Sequence, residues 1–347
     1  MRSSNSKESK KNYLTIEDIA SMAGVAKSTV SRVLNNSGFV SEKTQKKVME
    51  IVEAHHYVPN GMARDLGRTT TKSIGIFIGD ISNQYFSEIL AGAEAVINRS
   101  AFFPFICLVS SERREEFYVR EMLKRRASGI LFASATIHNP SLISQLLHST
   151  CAISIQTDIP DIQRIDCENF SGTYRIIQHL ISLGHRRIAF INSYGQGSVL
   201  EQRLQGYRQA LSDHGIPICA DYLKTSTRAS SGYQAVNELL DLPNPPTAIH
   251  CCNDHIAAGA YQALHNRNIR IPEQISLTGF DAIPNTLLME PQLTTVSQPL
   301  HQMGAAAAEM LIAQINSGEE QPAASSPLLF PTEILLRGST APPCANL

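Results

Sequence analysis

GVAKSTVSRVL, Gly24 to Leu34, sets two cations and a run of hydroxyls on a segment with helical periodicity. Ala26, Val30, Val33 and Leu34 fall on one side at that period. Lys27, Ser28, Ser31 and Arg32 fall on the other, where 27/31 and 28/32 are vertical neighbours. Just upstream, LTIEDIASMAG reads as a second short helix. Thr15 is its expected N-cap with Asp18 in the capping-box place; Ile16, Ile19, Ala20 and Ala23 form its inward stripe, and Gly24 ends it. A third helix follows Ser41, with Val48, Ile51, Val52 and His55 expected inward and Lys43, Lys46 and Lys47 outward. Two helices joined by a tight glycine turn, the second with a cationic outer face, make a helix-turn-helix arrangement. Residues 13–58 are therefore expected to form an all-α head.

Charge supports the division. The 347-residue chain has a formal charge of −1, yet residues 1–72 hold 12 Lys/Arg against 7 Asp/Glu, and the remainder 18 against 24. A basic head on an acidic body implies that only the head meets a polyanion. The opening MRSSNSKESKKN lacks an apolar core for a signal peptide, and no run approaches a membrane span, so a cytoplasmic protein with no membrane partner is expected. The longest apolar stretch, AFFPFICLV, is interrupted by Pro104 and reads as a buried strand. Seven scattered cysteines without a CxxC argue against a disulfide framework and fit a reducing compartment. CCNDH (Cys251 to His255) crowds four potential ligands too tightly for one ion, so no metal is expected.

Residues 59–72 read as a connector. Pro59, Gly61, Gly67 and the threonines break regular structure, and Met62, Ala63 and Leu66 are spaced for a single helical turn, too short to stand alone. From Ser73 onward apolar strands alternate with amphipathic helices: SIGIFIGDI, SEILAGAEAVINR, FPFICLV, EFYVREMLKRR, GILFASA, then RRIAFINS, TAIHCCND and ISLTGFD. That alternation predicts an α/β body of doubly wound parallel sheets. Its length requires two lobes, expected at about 73–167 plus 298–327 and about 168–296 plus 328–343, with LTTVSQP as a strand crossing back to the first. QPAASSP (Gln321 to Pro327) is a surface loop.

The run TIEDIASMAGVAKSTVSRVLNNSGFVSEKTQKKVMEIVEAHHYVPNGMARDL resembles the DNA-binding head and hinge of the lac repressor family of bacterial transcription regulators. The likeness continues through GDISNQYFSEILAGAE, SLGHRRIAFINS, RLQGYRQAL, CCNDHIAAGAYQAL, RIPEQISLTGFD, LTTVSQP and LLRGST, covering the chain from Leu14 to about Pro343. The resemblance implies that the body has a periplasmic-binding-protein-like fold. It implies that Lys27, Ser28 and Arg32 read bases in a major groove, that Thr29 and Ser31 touch phosphates, and that Leu66, flanked by Asn60 and Ala63, wedges into the minor groove from a hinge helix that folds on DNA. Ala26 stands where a capping serine is expected.

For the body, the resemblance implies a small effector in the cleft between lobes. Arg203, Asn253 and Asp281 match ligand positions and fall at strand ends, where such clefts form. Gln156 stands near a position usually occupied by aspartate. Tyr85 and Phe86 are placed either to stack on a ring or to join the core. The chain has no tryptophan, so none near Thr227 stacks on a sugar. A sugar or sugar phosphate is the first expectation for the effector, a nucleoside or purine the second. No GxSxG, GxxxxGK[ST] or HExxH occurs, and YGQGSVL lacks the third glycine of a dinucleotide turn. Neither a cofactor nor enzymatic activity is expected. The partners expected are palindromic double-stranded operator DNA and a second copy of the chain. With no heptad tail after LLRGSTAPP, a homodimer is expected rather than a tetramer.

Overall fold

In a computed structural model the chain is described over residues 14–58, 71–135, 137–193, 197–226, 229–318 and 326–344. The expected hinge positions Asn60, Ala63 and Leu66, and Thr227, lie outside the described residues.

The head is three helices. In α1 (Ile16–Ala23), Thr15 and Asp18 cap reciprocally, and Gly24 closes the helix at φ 66°, a conformation that favours glycine. Then come α2 (Lys27–Leu34) and α3 (Glu42–Ala54), the latter capped by Ser41. Ile19, Val30 and Val48, one from each helix, are fully buried at the centre. Two expected inward residues are not inward. Ala26 is the exposed N-cap of α2, outside its repeat, and Val25 packs on the core instead. His55 is the exposed C-cap of α3, and Tyr57 is buried beyond it. The side chain of Ala26 makes no capping bond, which forgoes about 1 kcal/mol of helix stability.

The body follows as a separate unit. One lobe contains β1 (Thr71–Ile78), α4 (Gln84–Ile97), β2 (Phe103–Leu108), α5 (Glu112–Lys124), β3 (Ala127–Phe132), α6 (Pro140–Ser149), β4 (Cys151–Ile155) and β5 (Gln163–Cys167). The chain then crosses to α7 (Asn169–Ser182), β6 (Ile188–Ser193), α8 (Ser198–Asp213), β7 (Leu223–Ser226), α9 (Ala229–Leu240), β8 (Ala248–Cys251), α10 (Asp254–Asn266), β9 (Ser276–Asp281) and β10 (Thr294–Ser297). It returns for α11 (Leu300–Ser317) and β11 (Leu328–Phe330), and crosses a third time to β12 (Glu333–Leu335).

The sheets run β11–β5–β4–β3–β1–β2 and β12–β10–β9–β8–β6–β7. All pairings are parallel except β10 with β12. Every residue of β3 and of β9 is buried, as a central strand covered on both faces requires.

Three expectations change. AFFPFICLV is an edge strand, so Phe103, Phe105, Ile106 and Leu108 are exposed, and of its apolar side chains Cys107 and Val109 are buried. LTTVSQP does not cross as a strand: β10 pairs with β9 in the second sheet, and the crossing follows it. The final crossing falls after residue 330 rather than at 328, because β11 pairs with β5 in the first sheet.

The three crossings are tied together. The Glu168 N–H donates to Phe330 O at 3.1 Å, and the Cys167 thiol donates to Gln298 Oε1 at 3.1 Å. In the first lobe α4 and α11 meet backbone to backbone. A Cβ on Gly92 would sit 2.0 Å from His301 O, and one on Gly304 2.1 Å from Ile89 O. Among the described residues, no helix is long and apolar enough to cross a membrane.

Candidate functional site

A cleft of about 1280 Å³ opens where the strands of both sheets end. Tyr85, Phe86, Gln156, Arg203, Asn253 and Asp281, the six residues singled out from the sequence, all line it. Asp281 is the last residue of β9 and is 3% exposed; its φ is 118° and that of Ala282 is 58°. Such backbone values are uncommon outside glycine and cluster at binding sites.

Arg203, on α8, lies opposite. Its Nη1 is 3.6 Å from Asp281 Oδ1 and donates to Cys252 O; its Nε donates to Asn169 Oδ1 at 2.9 Å. The guanidinium lies over the Phe280 ring, 3.7 Å from its centroid. Burial pushes the Asp281 carboxyl up to about 6, against the pull of Arg203. The neighbouring Asp254 is fully buried and held by the Thr295 hydroxyl at 2.7 Å and the Ile283 N–H at 3.1 Å. Burial, and then the charge of Asp281, push its carboxyl far above the usual range. Gly279 makes room for it, since a Cβ there would lie 2.1 Å from Asp254 Oδ1.

The other three polar candidates are partly committed. Asn253 caps α10, its Oδ1 accepting the Ile256 N–H at 2.8 Å. The Tyr85 hydroxyl donates to Gln156 Oε1 at 2.7 Å, so these two face each other before they face a ligand. Gln156 Nε2 donates to Gln298 Oε1 at 2.8 Å, and Gln298 Nε2 donates to Asp281 Oδ1 at 2.6 Å. This relay carries contact from α4 in one lobe to β9 in the other through side chains alone. Phe86 and Tyr85 pack edge to face at 5.0 Å.

Gln298 and Asn169 escaped the sequence reading. Both flank crossings, and nothing in their local pattern points inward. Asn192, Ser193 and Thr225 also line the cleft, and they could have been found by applying the strand-end rule to β6 and β7.

On the head, Lys27, Ser28 and Arg32 are exposed on α2, whereas Thr29 and Ser31 are half-buried. Lys27 forms an ion pair with Glu17 of α1, and that hydrogen bond holds the Glu17 carboxyl below its usual value. Gly38, at φ 73°, leaves space for the Arg32 side chain, whose Cδ would lie 3.6 Å from a Cβ there.

A three-helix head with a cationic reading helix, carried on a two-lobed body with a polar cleft, defines a ligand-responsive DNA-binding regulator. Residues 15–60 match the profile of bacterial regulatory proteins of the lacI family, and residues 177–340 that of a periplasmic binding protein-like domain. The chain is 35% identical to the HTH-type transcriptional regulator DegA of Bacillus subtilis, over 94% of this chain and 98% of that one. The lac repressor dimer bound to operator and an anti-inducer superposes with a TM-score of 0.81 at 25% identity, covering 94% of this chain and 99% of that one. A lacI-family regulator from Enterococcus faecium with bound ribose gives 0.70 at 28% identity, over 78% of this chain and 99% of that one. The chain belongs to the lacI family of bacterial transcription regulators.

Proposed function

We propose that the chain is a cytoplasmic, dimeric repressor whose operator binding is set by a small polyhydroxylated effector, of the sugar class, in the cleft. The observation that carries the reading is the buried pair Arg203–Asp281 at the cleft floor. Asp281 spends Oδ1 on Gln298 and Arg203, while its Oδ2 and the Arg203 Nη2 have no partner among the described residues. One acceptor beside one donor suits adjacent hydroxyls. The same atoms suit the ribose of a nucleoside, which is the second reading. Arg203, Asn253 and Asp281 form a binding set without an evident nucleophile, so no catalysis is part of the proposal.

In this reading Lys27, Ser28 and Arg32 contact bases, Thr29 and Ser31 contact phosphates, and Leu66, with Asn60 and Ala63, enters the minor groove. Two copies pair through the body. Exposed Phe105, Ile106 and Leu108 on edge strand β2 are covered on pairing, as are Leu287 and Leu288; an uncovered apolar edge would invite aggregation. The segment bearing those leucines abuts α4 through Asn285 N–H, which donates to Gln84 Oε1 at 2.8 Å.

Selection of duplexes from a random pool by the full-length protein tests the DNA half. The expected product is a palindrome with half-site centres about 10 base pairs apart. Recovery of sites without two-fold symmetry would overturn the dimeric operator. Sedimentation of the Ile106→Lys and Leu288→Lys variants, expected to shift toward monomer, tests the pairing.

A further inference from the structure

We propose that the cleft selects an uncharged polyhydroxylated effector and rejects phosphorylated and uronic-acid forms of the same compounds. The inference rests on the reading of the cleft as the effector site. Four carboxylates line it, those of Asp80, Glu112, Asp158 and Asp281. Among the described lining residues, Arg203 is the sole lysine or arginine.

That one cation is committed. Arg203 is 4% exposed, and its guanidinium faces Asp281, donates to Cys252 O and Asn169 Oδ1, and has the Phe280 ring against its flat face. Bidentate recognition of a phosphate or carboxylate needs two parallel N–H donors of one fork and no competing anion. Here Nη2 alone remains, beside a carboxylate. Two cations adjoining the cleft are committed as well. Arg164 pairs with lining residue Asp158 and, at 3.4 Å, with Asp166. Lys224, next to lining residue Thr225, pairs with Glu238 at 3.0 Å.

Helix termini do not make up the deficit. Helix N-termini ordinarily attract anions. Lining residues fall at or near the starts of α4, α5, α8 and α10. Of these, α5, α8 and α10 carry a carboxylate in the first turn, Glu112, Glu201 and Asp254 respectively, and α4, whose first turn carries none, has lining residue Asp80 just ahead of its Asn83 cap. The site therefore offers isolated donors and acceptors for hydroxyls, namely Arg203 Nη2, Asn253 Nδ2 and Asp281 Oδ2, in a field of negative charge. A phosphate ester would be desolvated there without a counter-charge.

The test is a set of matched pairs measured by thermal shift and isothermal titration on the full-length protein at pH 8. The pairs are ribose and ribose 5-phosphate, glucose with glucose 6-phosphate and glucuronate, cellobiose and its 6-phosphate, adenosine and AMP, and cytidine and CMP. The expected result is stabilisation by a neutral member, with its charged counterpart bound more than about 100-fold more weakly. Glu112→Lys should narrow that gap by about tenfold at low salt, and high salt should erase the gain. A charged member that binds as tightly as its neutral counterpart, or more tightly, overturns the inference and leaves the effector reading intact. Silence from both members of every pair overturns the effector reading itself, and this inference with it.

Discussion

The two functional surfaces of this chain are built in opposite ways. The proposed reading face of α2 comes from positions within one short run, Lys27 to Arg32, and its base-reading candidates stand exposed with few fixed partners. The cleft floor gathers Gln156, Asn169, Arg203, Asp281 and Gln298 from five separate elements or crossings, and almost every polar atom there is already bonded inside the protein. Free side chains suit a surface that adapts to a polyanion and works through individual contacts. A pre-bonded floor suits a small ligand whose arrival rearranges a network shared by two lobes.

The sharpest way to break this contrast is to remove one member of each set. Arg203→Ala leaves Asp281 buried without its cation and should cost the body about 3–5 kcal/mol, read as a lower midpoint in urea, with effector binding abolished. Arg32→Ala should leave that midpoint unchanged and weaken specific DNA binding by about 1–3 kcal/mol in an anisotropy titration. If Arg203→Ala were as mild in urea as Arg32→Ala, the floor would not be the coupled network described.

Acidity separates the same two surfaces. Asp281 must be ionised to accept ligand hydroxyls with both oxygens, so effector affinity should rise with pH up to about 6 and level off above it. Its effect on unliganded stability has the opposite sign. The folded-state value lies above the ordinary 3.8, so the contribution of Asp281 to stability is complete below 3.8 and is lost as pH rises through about 6. Asp281→Asn should flatten both profiles relative to the parent protein, measured by titration calorimetry and by urea midpoints across that range. The smallest expected change is on the head. Ala26→Ser supplies the missing cap of α2 and should stabilise the head by about 1 kcal/mol in thermal denaturation of the full chain, provided that the head melts as its own transition.

What could be read from the sequence follows the same division. The head was legible because a cap, a glycine stop and a 3.6-residue period are local signals, and its two misplacements, Ala26 and His55, sit at helix ends where the period no longer applies. The alternation of the body was legible too, and so was the place of Arg203, Asn253 and Asp281 in the cleft. Whether AFFPFICLV lay in the middle or at the edge of a sheet was not, because an apolar run looks alike in both until its neighbours are known. Gln298 and Asn169 were invisible for a related reason. Their partners lie in segments far apart in the chain, and only the crossings bring them together.

Those crossings carry a mechanical consequence. A single tether between two lobes would permit swivelling about any axis. Three chains passing side by side, linked by Glu168 to Phe330 and by Cys167 to Gln298, resist twisting and sliding and leave one soft direction, a bend about the line that joins them. Gln298 sits on that line while its amide holds Asp281, so the side chain that steadies the cleft-lining carboxylate is also part of the axle.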